Sequence, residues 1–98
     1  MVPKIDPTVA AVVVVFDPDD RFRQLLLSLV EQVNKMWIID NQPNSVSRKY
    51  INGGQFQQRN NITLVENQKN VGLAAAQNQG KELALKDGVD WILLLDQD

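Results

Sequence analysis

Val9-Ala-Ala-Val-Val-Val-Val-Phe16, running straight into Asp17-Pro-Asp-Asp20, is the stretch on which the fold turns. A strand wetted on one face alternates apolar with polar residues. This one is apolar on both parities and rich in β-branched residues, as expected of a parallel strand covered on both faces. The "DPDD" behind it is helix-start chemistry. Asp17 can cap, Pro18 suits a first turn, and Asp19 and Asp20 favour the positive end of a helix dipole. Phe22, Leu25, Leu26, Leu29, Val30 and Val33 then recur at helical spacing, an apolar stripe about three turns long.

The same alternation continues outward. Met36-Trp-Ile-Ile39 is a second buried strand ending in Asp40-Asn41, and "NQPNS" (Asn41–Ser45) is a loop. A short helix is expected from Ser45 to Ile51, broken by Asn52-Gly-Gly-Gln55. Ile62–Val65 reads as a third strand ending in Glu66, and "NQKNVG" (Asn67–Gly72) as a loop. Leu73–Lys86 is an Ala-rich helix ended by Gly88, and Trp91–Leu95 is the fourth strand. The order β-α-β-(α)-β-α-β predicts an α/β fold: a three-layer, Rossmann-like parallel sheet with right-handed crossovers and its first strand central. In such sheets a ligand crevice lies beyond the carboxyl ends of the strands.

Composition narrows the chemistry. At 98 residues the chain is at most one domain, and 44% apolar with 22% charged residues is ordinary for a globular one. A net charge of −2 without a basic block gives no nucleic-acid footprint. The chain has neither Cys nor His, so a metal site must use oxygen ligands, which favours Mg²⁺ or Mn²⁺ over zinc. The longest apolar run is far too short to span a membrane, and "MVPKIDPT" lacks the apolar core of a signal peptide. A soluble, cytoplasmic protein is the expectation.

Acids gather at the strand ends: Asp17, Asp40, Glu66, and Asp96 with Asp98. One such acid is usually a cap or a turn; four strands each delivering one concentrate charge where a ligand would sit. In "WILLLDQD" (Trp91–Asp98), Asp96 and Asp98 point to one side of an extended segment. They are candidates to share a divalent cation that neutralises a diphosphate leaving group. Asp40 either accepts the imino N–H of a uracil or thymine ring or forms an Asx turn; spacing alone leaves both open. Gly72 permits close backbone approach at a helix start. Ala74, Ala75, Ala76 and Gly80 keep that helix thin enough to lie close to the sheet. Asn78 suits either a hydrogen-bonding task or a solvated face. Neither Gly-x-Gly-x-x-Gly nor Gly-x-x-x-x-Gly-Lys-Ser/Thr occurs.

"VAAVVVVFDPD", "WIIDNQPNS", "NQKNVGLAAAQNQG" and "WILLLDQD", in that order and spacing, resemble the family 2 glycosyltransferases of GT-A fold, and within them bacterial rhamnosyltransferases. The resemblance covers nearly the whole chain from Thr8. Its specific parts are Asp96-Gln-Asp98 and the pattern Asn70, Gly72, Ala74, Ala76, Asn78, Gly80. It implies that Phe16 and Asp17 line a nucleotide pocket and that Asp40, with Asn41 beside it, binds the base. Asn70 and Gly72 belong to the same donor site. Asp96 would approach ribose and metal, and Asp98 would hold the Mg²⁺ or Mn²⁺. Such enzymes often carry Tyr-Asn or Phe-Asn where this chain has Phe16-Asp17. The implied donor is a nucleotide-sugar, dTDP-rhamnose, and the acceptor a cell-surface saccharide or a lipid-linked one, which places the enzyme in the cytoplasm or at the inner face of the membrane. The family continues past Asp-x-Asp into an acceptor-binding half that carries the catalytic base. Residues 1–98 are therefore expected to be the donor-binding portion, without a catalytic residue. They would transfer no sugar alone and would self-associate through the truncated face.

Three other readings compete with this one. A haloacid dehalogenase-like phosphatase or phosphotransferase would use Asp17 as nucleophile and Asp19 as general acid. It wants Ser or Thr after the second strand, where Asp40 stands, and Pro18 between its acids is awkward. A phospho-receiver domain would pair Asp19 with Asp20 and needs Asp where Glu66 stands. A non-enzymatic α/β interaction module would use its carboxylates merely as helix caps.

Overall fold

The computed structural model describes residues 7–42 and 61–96, so the helix expected at 45–51 and the carboxylate of Asp98 lie outside the described residues. Its elements are β1 (Val9–Val15), α1 (Asp20–Leu29), β2 (Lys35–Asp40), β3 (Ile62–Glu66), α2 (Leu73–Lys86) and β4 (Trp91–Asp96). All four strands are parallel, in the order β3-β2-β1-β4. The α/β sheet is the one expected, and β1 is interior as its double-sided apolar sequence requires: Val13 is fully buried and Val14 nearly so.

The step from β1 to β2 and the step from β3 to β4 run in opposite directions across the sheet. Right-handed crossovers therefore put their helices on opposite faces. On one face, Phe22, Leu26 and Leu29 of α1, followed by Val30 and Val33, pack on Ala11, Val13, Val15, Met36 and Ile38. On the other, Ala76 and Ala84 of α2 pack on Ala10, Val12, Val14, Trp37 and Ile39. Gly80, midway between those alanines, lies so close to the sheet that a Cβ there would run into Cγ1 of Val12. The thin side of α2 is thus Ala76, Gly80 and Ala84, one small residue per turn. Ala74 and Ala75, expected to share that role, are exposed, because helical spacing turns them away from the sheet.

The start of α1 also differs from expectation. The cap is Asp19, whose Oδ1 accepts from the Arg21 backbone N–H at 3.0 Å; it is not Asp17. Asp17 instead has φ of 52°, a left-handed turn that Asp tolerates better than most residues, and it carries the chain over the end of β1. The Arg21 side chain also donates to Asp19, and this bond chiefly holds the Asp19 carboxyl below the usual aspartate range. At its far end α2 stops as expected, at Asp87 followed by left-handed Gly88.

The amino edge of the sheet is tied by side chains from neighbouring segments. Val9 N–H donates to Asn34 Oδ1 at 2.8 Å, Thr8 N–H donates to Asp90 Oδ2 at 2.7 Å, and Lys35 pairs with Asp87 at 3.0 Å. At the sheet's side, β4 is an edge strand that leaves Trp91, Leu93 and Leu94 exposed. No helix among the described residues is long and apolar enough to cross a membrane.

Candidate functional site

The chain runs from β1 through β2 to β3 on one side and then crosses back to β4 on the other. The connections leaving β1 and β3 therefore diverge onto opposite faces, and the carboxyl ends of β1 and β4 are left open between them. Ligands of open α/β sheets bind at such a switch point. A cleft of about 150 Å³ lies there, lined by Val14, Val15 and Phe16 of the β1 end, Asn41, Asn70, Leu73 and Asp96. Phe16 and Leu73, both exposed, give it apolar walls.

Asp40, Glu66 and Asp96 are the last residues of their strands, so the acids do share one edge. They do not share one side. Asp40 follows Met36 and Ile38 in alternation and is paired in register with Glu66, which puts both carboxylates on the face covered by α1. Asp96 follows Ile92 and pairs with Val14, which puts it on the face of α2. The strand-end acids therefore share the expected edge but divide between its two faces, and Asp98, the expected partner of Asp96 on the ion, lies outside the described residues. Among the described residues no three of His, Cys, Asp and Glu stand close enough to hold a metal. Asp40 is fully buried; Asp96 is exposed at the cleft. An all-oxygen site made by one or two carboxylates plus ligand oxygens is still within reach of Asp96, which is how Mg²⁺ is commonly held.

The wall of the cleft is built from amides. Asn41, only 4% exposed, uses its whole side chain. Its Oδ1 accepts from Asn67 Nδ2 at 3.1 Å and from Val71 N–H at 3.0 Å. Its Nδ2 donates to Asn70 Oδ1 at 3.0 Å and to the Gly72 carbonyl at 3.3 Å. Asn67 and Gln79 close a reciprocal pair behind it, at 2.9 and 3.0 Å. Asn70 Oδ1 also accepts from Gly72 N–H at 2.8 Å, shaping the turn into α2. Gly72 itself has φ of 88° with open space around its missing Cβ, so the backbone conformation, not room, calls for glycine.

Phe16, Asn41, Asn70 and Asp96 are thus brought together in one cleft. Gly72 shapes its wall, whereas Asp40 lies on the other side of the sheet edge and Asp17 is exposed beyond β1. Asn67, Gln79 and Leu73 were missed from sequence. An Asn or Gln seldom signals its partner in sequence; only Asn67, next to the strand-ending Glu66, offered a hint. Asn78 is exposed.

The phosphotransferase reading loses its general acid here, and the receiver reading its acidic pair. Asp19 is engaged as the α1 cap and by Arg21, and Asp20 is in the first helical turn. No curated protein and no solved structure matches the chain with significance. A family model described as glycosyl transferase family 2 matches residues 10–98, from the buried start of β1 through the acidic end of β4. With the parallel sheet and its open switch point already of the nucleotide-binding kind, the chain belongs to glycosyl transferase family 2.

Proposed function

We propose that the cleft between the ends of β1 and β4 binds a pyrimidine nucleoside diphosphate sugar, dTDP-rhamnose in particular, and that the full enzyme transfers the sugar to a saccharide or lipid-linked acceptor at the cytoplasmic side of a membrane. The observation that carries this reading is the position of the cleft. It opens at the switch point of a family 2 glycosyltransferase sheet, with Asp96 at its margin.

The residues divide the task. Phe16 offers an apolar surface to the nucleoside, and Asp17 lies just beyond it. Asp40, buried at the end of β2 beside Asn41 of the cleft wall, is assigned to the imino N–H of thymine or uracil, so the base would reach past the cleft over the sheet edge. Asn41, Asn70 and Gly72 form the wall facing the rest of the donor. Mg²⁺ or Mn²⁺, when bound, supplies charge neutralisation to the diphosphate leaving group. Asp96 and Asp98 hold that ion; without it their carboxylates repel the phosphates by about 1 kcal/mol per contact in water and more in a drier cleft. The exposed Trp91, Leu93 and Leu94 of β4 support self-association of residues 1–98 through this edge.

Isothermal titration of the full-length enzyme with dTDP, with and without Mn²⁺, tests the reading. Binding should require the ion, weaken more with Asp98→Asn than with Glu66→Gln, and lose its preference for thymine or uracil with Asp40→Asn. Tight binding that EDTA leaves unchanged would refute the metal bridge.

A further inference from the structure

The amides behind the cleft do more than fill space, because the backbone dictates which way each one faces. Val71 N–H can only donate, so the atom of Asn41 that meets it must be Oδ1. The Gly72 carbonyl can only accept, so it meets Asn41 Nδ2. Gly72 N–H likewise fixes Oδ1 of Asn70, which also receives Asn41 Nδ2. Both acceptor positions of Asn70 are then taken. What Asn70 retains for a ligand is its NH₂, which has no hydrogen-bond partner among the described residues. The group left at the wall is a donor.

The Asn67–Gln79 pair stands behind this arrangement and does not line the cleft. Asn67 Nδ2 bonds both Gln79 Oε1 and Asn41 Oδ1, so the pair anchors Asn41 to the side of α2. A chain of hydrogen bonds thus leads from Gln79 through Asn67 and Asn41 to Asn70.

We propose that Asn67 and Gln79 are positioning residues that, through Asn41, hold Asn70 as a hydrogen-bond donor to an acceptor oxygen of the nucleotide. That oxygen belongs to the phosphates or to the ribose. The inference rests on the nucleotide reading of the cleft and goes beyond it in assigning roles to two residues outside the cleft.

The test is a double-mutant cycle on the full-length enzyme, with Asn67→Leu and Asn70→Ala, read by titration with thymidine, dTMP and dTDP in the presence of Mg²⁺. Asn70→Ala should weaken binding roughly tenfold, the loss of one good hydrogen bond. Asn67→Leu, which keeps the side chain's shape, should weaken it several-fold with Asn70 present and not at all with Asn70→Ala. A merely structural Asn67 would lower thermal stability and show no such coupling. Loss already seen with thymidine assigns the contact to the nucleoside's sugar ring; loss confined to dTMP and dTDP assigns it to phosphate. If Asn67→Leu does not fold, Gln79→Met reads the same coupling from the other end of the pair. Wild-type binding with additive or absent effects overturns this inference and leaves the nucleotide reading standing. No wild-type binding of any of the three probes overturns both.

Discussion

The two faces of the sheet are sealed in opposite ways. On the α1 face, large side chains fill the space between helix and sheet: Phe22 and Leu26 are fully buried, with Leu29 nearly so. On the α2 face, Ala76, Gly80 and Ala84 bring the helix down until its backbone meets the side chain of Val12. The first face draws its stability from buried apolar area, the second from close approach. The exposed carboxylate of Asp96 lies on the second face, and the cleft opens beside the amino end of its helix. A helix held by its backbone presents its amino end, and the turn before it, at a well-defined height above the strand ends. The difference teaches that α2 is placed as much as packed.

Truncations should separate the two modes. Phe22→Ala removes a ring from a dry, filled space and should cost about 3–5 kcal/mol, a large share of the stability of a small domain, read by chemical denaturation. Loss below 1 kcal/mol would show that the α1 face is not the chief source of stability.

Gly80→Ala probes the other face, and its sign is informative. At an exposed helical site the change would stabilise by about 1 kcal/mol. Here the added methyl meets Val12, a β-branched side chain with little freedom to turn, so overpacking should win by about 1–3 kcal/mol. Val12→Ala in the same chain should recover part of that loss. If the double variant is no better than the sum of the two single ones, the close approach is not what Gly80 provides.

Asp96→Asn should barely change stability, within about 0.5 kcal/mol, because the side chain is exposed. It should nonetheless reduce Mn²⁺-dependent dTDP binding markedly. Equal losses in melting temperature and in binding would mean that Asp96 is structural. The smallest expected effect lies at the α1 cap. Asp19 has its folded-state pKa lowered, mainly by the Arg21 side chain, so its contribution is complete above the ordinary aspartate pKa. It is lost as pH falls through the lower folded value. Removing it with Asp19→Ala should therefore lower the melting temperature slightly at neutral pH, and the gap to wild type should close in strong acid. A gap independent of pH would assign the effect to helix capping without charge.

Much of this fold is legible in the sequence. The apolar run from Val9 announced a central parallel strand because both its faces are apolar through Val15, with Phe16 beyond its end, and Leu73–Lys86 was bounded correctly because Gly88 marks a left-handed stop. The four strand ends were readable to within one residue: Phe16 falls outside β1, and Asp40, Glu66 and Asp96, expected just past their strands, are their last residues. Less was legible about the site, because side-chain partners separated by tens of residues leave no periodic mark. Asn41 meets residues 26 to 31 positions away, and nothing local in "DNQPNS" requires it.

What the sequence determined by itself was therefore the class of the fold, the order of its elements and its family pattern. Those depend on local periodicity and on residue types at strand and helix ends. Tertiary structure alone decided which side of the sheet each acid faces, since alternation along a strand places Asp40 and Asp96 on opposite sides only once the register with β1 is set. It also decided that Asp19 caps α1, that Gly80 and not Ala74 touches the sheet, and that four amides join behind one cleft. The joining of the four amides follows from relative placement of segments, which packing sets and no single segment encodes; the Asp19 cap is local but competes with Asp17 until the turn is formed.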